Sequence, residues 1–176
     1  MNIFFLDTDP KLAAQYHCDK HVVKMILESA QLLSTAHRMI DGEVFVEVRN
    51  GRKIKRFKHP IDSYDEVLYK ATHANHPSAK WARESKDNYI WLFNLFSDLC
   101  KEYTYRYGRE HLSGIKLMDI LKNPPVNIPD IGGTAIAQAM PDEYKHSDPV
   151  IAYRTYYREA KSRMLQYTNR PQPTWI

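Results

Sequence analysis

Cysteine is scarce: the 176 residues hold two, Cys18 and Cys100. Two cysteines do not suggest a disulfide framework, and they point to a reduced, cytoplasmic setting. No run of about 18 apolar residues occurs, so no transmembrane helix and no membrane partner are expected. The first ten residues, MNIFFLDTDP, lack a basic leader, and their apolar part is too short for a secretory signal. Glycine offers no phosphate loop, because Gly132-Gly133 lacks the following lysine and the strand–helix context. Internal repeats, low-complexity blocks and domain linkers are missing too. A single domain over residues 1–176 is expected, long enough for a real core. Its 43% hydrophobic and 26% charged residues place it in the globular range.

The positive charge is unevenly spread. RNGRKIKRFKH, residues 49–59, contains no acid and carries Arg52, Lys53, Lys55 and Arg56 among its six Lys and Arg side chains. YRTYYREAKSRMLQYTNR, residues 153–170, interleaves tyrosines with Arg154, Arg158 and Lys161. Such patches suit phosphate contacts and base stacking, and equally two solvated faces.

Periodicity and punctuation predict a mainly α, single-domain helical fold. It has two long core helices, a C-terminal helix and a small β-hairpin insertion at about 44–57. Asp9 and Pro10 open a first helix that runs to about Met39 and stops at Gly42. Asn50-Gly51 between β-branched runs predicts a hairpin with strands at about 44–49 and 52–57. A short helix is expected within 62–73. A long one follows from Pro77 to about Tyr107, stopped by Gly108, with Trp81, Ile90, Trp91, Phe93, Leu95, Phe96, Leu99 and Tyr103 as its apolar set. Another short helix is placed near 113–122, and residues 123–133 read as irregular. Asp148-Pro149 opens the last helix, to about Tyr167, and an extended tail covers about 168–176.

Within the first helix His17, His21, Lys24, Glu28 and Gln31 recur at spacings of three and four and so share a stripe. Val22, Val23, Ile26, Ala30 and Leu33 form its apolar face. Three chemistries compete for the stripe. His17 and His21 can share a metal at i and i+4, with His73 and His76 as a second close pair, yet no acidic ligand pattern accompanies them, and no metal or other cofactor is assigned. Cys18 and Cys100 lie in no activating motif, and Cys100 reads as core. Glu28 is either an i,i+4 ion partner of Lys24 or a working carboxylate beside cations, able to stabilise a developing positive charge.

Ala14-Gln15, Asp19-Lys20, Lys24, Glu28 and Gln31, followed by Asn75-His76-Pro77 and Trp81, form a pattern that resembles the small pyrimidine-dimer DNA glycosylases of the phage endonuclease V type and their bacterial relatives. The order of elements is also similar, with scattered motifs over most of the chain and the 44–57 hairpin as an insertion. The resemblance implies an all-helical enzyme that kinks double-stranded DNA, extrudes a nucleotide and attacks sugar C1′ with its N-terminal α-amine. By position, Glu28 matches the glutamate that holds the resulting cation, and Lys20 and Lys24 match the family's basic helix residues, with His21 beside them. The family exposes a small second residue by removing the initiator methionine; residue 2 here is Asn, so the amine is expected to be that of Met1. α-Amines titrate near 8, which leaves a useful neutral fraction at pH 7. A monomer acting on damaged or modified bases is the expectation. Two rivals stay open: a DNA-binding protein without catalysis, and a metal-dependent nucleotide hydrolase using His17 and His21.

Overall fold

A computed structural model describes all 176 residues. The chain forms seven α-helices and one two-stranded antiparallel sheet, in the order α1 (Pro10–Tyr16), α2 (Asp19–Ile40), β1 (Glu43–Arg49), β2 (Arg52–Lys58), α3 (Asp62–Val67), α4 (Pro77–Glu84), α5 (Lys86–Tyr107), α6 (Leu112–Leu121) and α7 (Pro149–Ala160). Short 3-10 turns lie at Asp142–Tyr144 and Ser162–Met164. It is the mainly α fold with a hairpin that the periodicity predicts. No helix is long and apolar enough to cross a membrane.

The expected first helix is two helices. Asp9 caps α1 by accepting from the Lys11 N–H, as predicted. The helix then breaks because His17 and Cys18 are both extended, at ψ 131° and 163°. The Cys18 N–H, which a continuous helix would have bonded internally, donates instead to the Tyr157 hydroxyl on α7 at 2.8 Å. A tertiary partner has taken over a local bond. The expected long helix from Pro77 is likewise broken, at Ser85. There the Ser85 hydroxyl caps α5 by accepting from the Asn88 N–H. Asn88 also donates to Trp81 O and Thr134 Oγ1 and accepts from the Thr134 N–H, so the loop after α6 locks the break. Gly108 ends α5 in the left-handed conformation, as expected of a helix-terminating glycine. α3 ends at Val67, short of the expected range, and α7 at Ala160 rather than near Tyr167.

α2 is the central element and packs against α5, with α4 against both and α1 against α5. From Glu28 to Arg38 every α2 residue except half-buried Gln31 is buried, so this helix is covered nearly all round. Leu32 and Leu33 meet Leu92, Leu95, Phe96 and Leu99 in one core cluster, which Tyr153 and Tyr157 complete from α7. Within the expected apolar sets, Val23 and Ile90 are exposed and Trp91 and Phe93 are half-buried. Trp91 lies against Phe5 and donates to Thr8 O, so it fastens the N-terminal arm.

The hairpin follows its local code. Asn50 and Gly51 both have positive φ, 51° and 74°, the backbone of a two-residue type I′ turn, and Arg49 pairs with Arg52. Its strands project from the body, with Val44, Phe45, Val46 and Val48 exposed. Buried Arg38 holds the base: it donates to Phe57 O of β2, to Tyr69 O and Leu68 O, and to Asp65. A second ion network joins the other end. Arg106 on α5 bridges Glu102 and Asp19, and Arg170 of the tail pairs with both oxygens of Glu102. Trp175 in the tail docks edge-on against Tyr16.

Candidate active site

Residues 1–6 form neither a helix nor a strand. They run as an extended arm in which Ile3, Phe4, Phe5 and Leu6 are all buried. Phe4 sits at φ 52°, a conformation bulky residues avoid, and five aromatic neighbours, His17 among them, hold it there. Its ring stacks on His21 at 4.5 Å and meets Tyr153, Tyr156 and Tyr157. The arm is thus pinned by packing, and its first two residues lie against the middle of α2.

Glu28 is 9% exposed and faces this arm. Its Oε2 accepts from the Asn2 N–H at 3.1 Å and lies 3.8 Å from the Met1 amine. Its Oε1 is 3.3 Å from Lys24 Nζ, one turn back on α2. One buried carboxylate therefore gathers a backbone donor, an α-amine and a lysine. The Lys24 side chain is 60% exposed, so this pair by itself contributes only a few tenths of a kcal/mol. The Asn2 bond matters more for geometry, because it fixes the peptide that carries the amine.

Asn2 is held from the other side. Its Nδ2 donates to Ala139 O at 2.9 Å, and its Oδ1 accepts from the Ile3 N–H at 2.8 Å and faces the Tyr153 hydroxyl at 3.0 Å. Tyr153 also accepts from the Ala139 N–H, so α7 and the 137–139 segment form a bracket behind residue 2. His76 stands in the same electrostatic neighbourhood. Burial lowers its pKa, the Met1 ammonium and His73 push it further down, and Glu28 opposes them. Its Nδ1 accepts from the Ser78 N–H and caps α4, which fixes the ring.

The stripe does not act as a whole. His17 and His21, the proposed metal pair, are both buried, and they do not belong to a group of potential ligands. His17 Nδ1 is 2.6 Å from Ala13 O, and burial lowers this imidazole to about 4. His21 Nδ1 meets the Tyr157 hydroxyl at 2.8 Å, and burial, followed by His17, Lys161 and Lys24, lowers it to about 3. His21 is consequently a neutral core group, which corrects its expected place on a DNA-contacting surface. Lys20 and Lys24 are exposed on α2. Lys24 pairs with Glu28 beside the arm, and Lys161 lies over the Tyr156 ring, which stacks on Phe4.

Among the other basic residues, Arg52, Lys53 and Lys55 are exposed on the hairpin, while Arg56 is half-buried and paired with Glu47 at 2.6 Å. Arg154 is committed to the fold: it donates to Leu6 O and Asp7 and lies over Tyr16 and Trp175. Arg158 is exposed near Glu159, and Lys161 lies over the Tyr156 ring.

Asn2, Tyr153 and Ala139 carry no signal in the sequence that links them to Glu28. His76 does, within Asn-His-Pro, although its caps and charges emerge only in three dimensions. Protein-family models, curated proteins and solved structures were all compared with the chain, and none matches.

Proposed function

We propose that this protein is a DNA N-glycosylase with abasic-site lyase activity, of the pyrimidine-dimer glycosylase type, in which the α-amine of residue 1 is the nucleophile and Glu28 its partner. The observation that carries the reading is the convergence of the Met1 amine and the Asn2 N–H on one buried Glu28 oxygen. A buried carboxylate beside an α-amine suits a reaction that develops positive charge on the attacked sugar carbon.

The neutral amine donates its lone pair to C1′ of an extruded nucleotide, and the C1′–N glycosidic bond breaks with its electrons leaving on the base. The nitrogen then passes one proton by way of Glu28 to the sugar O4′ as the C1′–O4′ bond opens with its electron pair leaving on oxygen, which gives a protonated imine. Glu28 stands beside the nitrogen through these steps, where its negative charge stabilises the cationic carbon and its oxygen can receive the proton. Loss of a proton from C2′ of the imine expels the 3′ phosphate. In this reading the exposed Lys20 and Lys24 contact phosphates near the arm. The exposed, acid-poor hairpin tip also supports a second reading, DNA binding without catalysis.

Glu28→Gln separates the two. It keeps the acceptor for the Asn2 N–H and removes the charge. The glycosylase reading expects strand cleavage of an abasic duplex to slow by about 10²–10³, with duplex binding retained or tightened. Cleavage at the unmodified rate would return Glu28 to a structural ion pair.

A further inference from the structure

The far end of α2 carries a cluster that the proposed chemistry does not use. His37 and Asp41 lie one turn apart at the C-terminal end of the helix, and His59 follows β2. The hairpin folds back so that one potential ligand atom from each residue lies within 4.8 Å of the other two. His37 and His59 are each 2% exposed.

Two atoms in this cluster lack any partner: His37 Nδ1 and His59 Nε2. Buried polar atoms without a bond are rare and call for an explanation. The bonds around His37 fit a ring proton on Nε2. The Tyr89 hydroxyl gives its own proton to Leu121 O at 2.9 Å, so its oxygen accepts from His37 Nε2–H at 2.9 Å. Nδ1 of the neutral ring then presents a bare lone pair into the cluster. The Asp41 carboxylate is fixed as well. Its Oδ1 accepts from the Asn127 backbone and side chain, and its Oδ2 from the Val126 N–H alone, which leaves a lone pair on Oδ2.

We propose that His37 Nδ1, His59 Nε2 and an Asp41 oxygen bind a single divalent transition-metal cation of the Zn²⁺ class, which clamps the base of the hairpin and the 126–127 loop to the end of α2. Two imidazoles and one carboxylate form a donor set that suits zinc, whereas Ca²⁺ and Mg²⁺ take oxygen ligands almost alone. Tetrahedral zinc with bonds of about 2.0–2.1 Å holds its donors about 3.3 Å apart, so the three groups close inward as the ion binds. The Tyr89 bond to His37 and the Asn127 bonds to Asp41 are the outer contacts that orient such ligands. His59 Nδ1 accepts the Ile61 N–H at 3.2 Å, which places the ring proton on Nε2. On metal binding that proton moves to Nδ1, and the Ile61 N–H, at an exposed residue, turns to water. A cavity of about 260 Å³ lined by Glu43, Lys58, His59 and Pro60 borders the cluster on its His59 side.

The test uses the whole chain, stripped with a chelator and titrated with ZnCl2 alone by calorimetry. One equivalent should bind, the melting temperature should rise with zinc, and Co²⁺ should give the intense visible bands of a low-coordinate site. Asp41→Asn, which keeps an amide oxygen for the 126–127 loop, and His59→Gln should each weaken zinc binding at least about tenfold. His73→Gln should not. If His59→Gln fails to fold, Asp41→Asn together with the wild-type Co²⁺ spectrum decides the matter. No saturable binding by the wild-type protein would overturn the proposal. So would stoichiometric binding whose affinity survives Asp41→Asn, or follows His73→Gln.

Discussion

His21 stacks on Phe4 and meets the Tyr157 hydroxyl, and His17 is wholly buried in the extended break just before α2. Burial lowers the two imidazoles to about 3 and about 4, below the ordinary 6.5. Unfolding restores the ordinary value, so below it the unfolded chain binds more protons than the folded one. Stability from these groups is therefore full above about pH 6.5 and is lost as pH falls toward 4, at about 1.4 kcal/mol per pH unit for each imidazole that remains neutral in the fold. Urea midpoints at about pH 7, 5.5 and 4.5 should fall in that order, and His17→Gln should flatten the decline. A pH-independent midpoint would place these rings in solvent. Gly42 is a second residue whose role is steric. A Cβ there would run into the Arg38 carbonyl oxygen and approach Lys58 O to 2.9 Å, both backbone atoms with little room to move. Gly42→Ala should destabilise the protein by about 1–3 kcal/mol in chemical denaturation, and a wild-type midpoint would show that the hairpin base can shift. In the sequence Gly42 reads as a helix stop. The close approach of β2 that demands glycine depends on a residue sixteen positions away.

The elements differ in how far local chemistry determines them. The hairpin was legible because Asn50-Gly51 encodes its own turn, and the Asp9 and Asp148 caps were legible because each side chain bonds a backbone N–H two residues on. The breaks at His17-Cys18 and Ser85 were not. Neither contains glycine or proline, apolar spacing continues across both, and the groups that stabilise them, Tyr157 and Thr134, are remote in sequence. The hairpin also carries an element-level prediction. Replacing Arg52, Lys53, Lys55 and Arg56 by Ala removes four charges, of which Arg56 is already paired with Glu47. If the other three contact phosphate, the slope of log K against log salt for duplex binding should become shallower by roughly 2.7. An unchanged slope and affinity in the quadruple variant would remove the hairpin from the interface.

For the molecule as a whole, the candidate site is a meeting of distant segments. In the sequence only the family resemblance links residue 1 to Glu28, and the fold brings them within 3.8 Å. The bracket of Asn2, Ala139 and Tyr153 spans 151 positions of chain, and no periodicity or motif marks such a contact. The His37, Asp41 and His59 cluster was hidden for a similar reason, since the hairpin separates its two histidines in sequence and reunites them in space. Around both sites the buried Arg106 and Arg38 networks join helices, hairpin and tail into one body. As proposed, the α-amine of residue 1 forms a covalent bond to DNA. That bond is tested most directly by incubating the protein with an abasic duplex in borohydride and mapping any adduct by peptide mass spectrometry. A one-to-one protein–DNA adduct at the Met1 amine is expected, abolished by a short N-terminal extension that leaves the melting temperature unchanged. An adduct at Lys24 or another lysine, or no adduct and no strand cleavage, would contradict it.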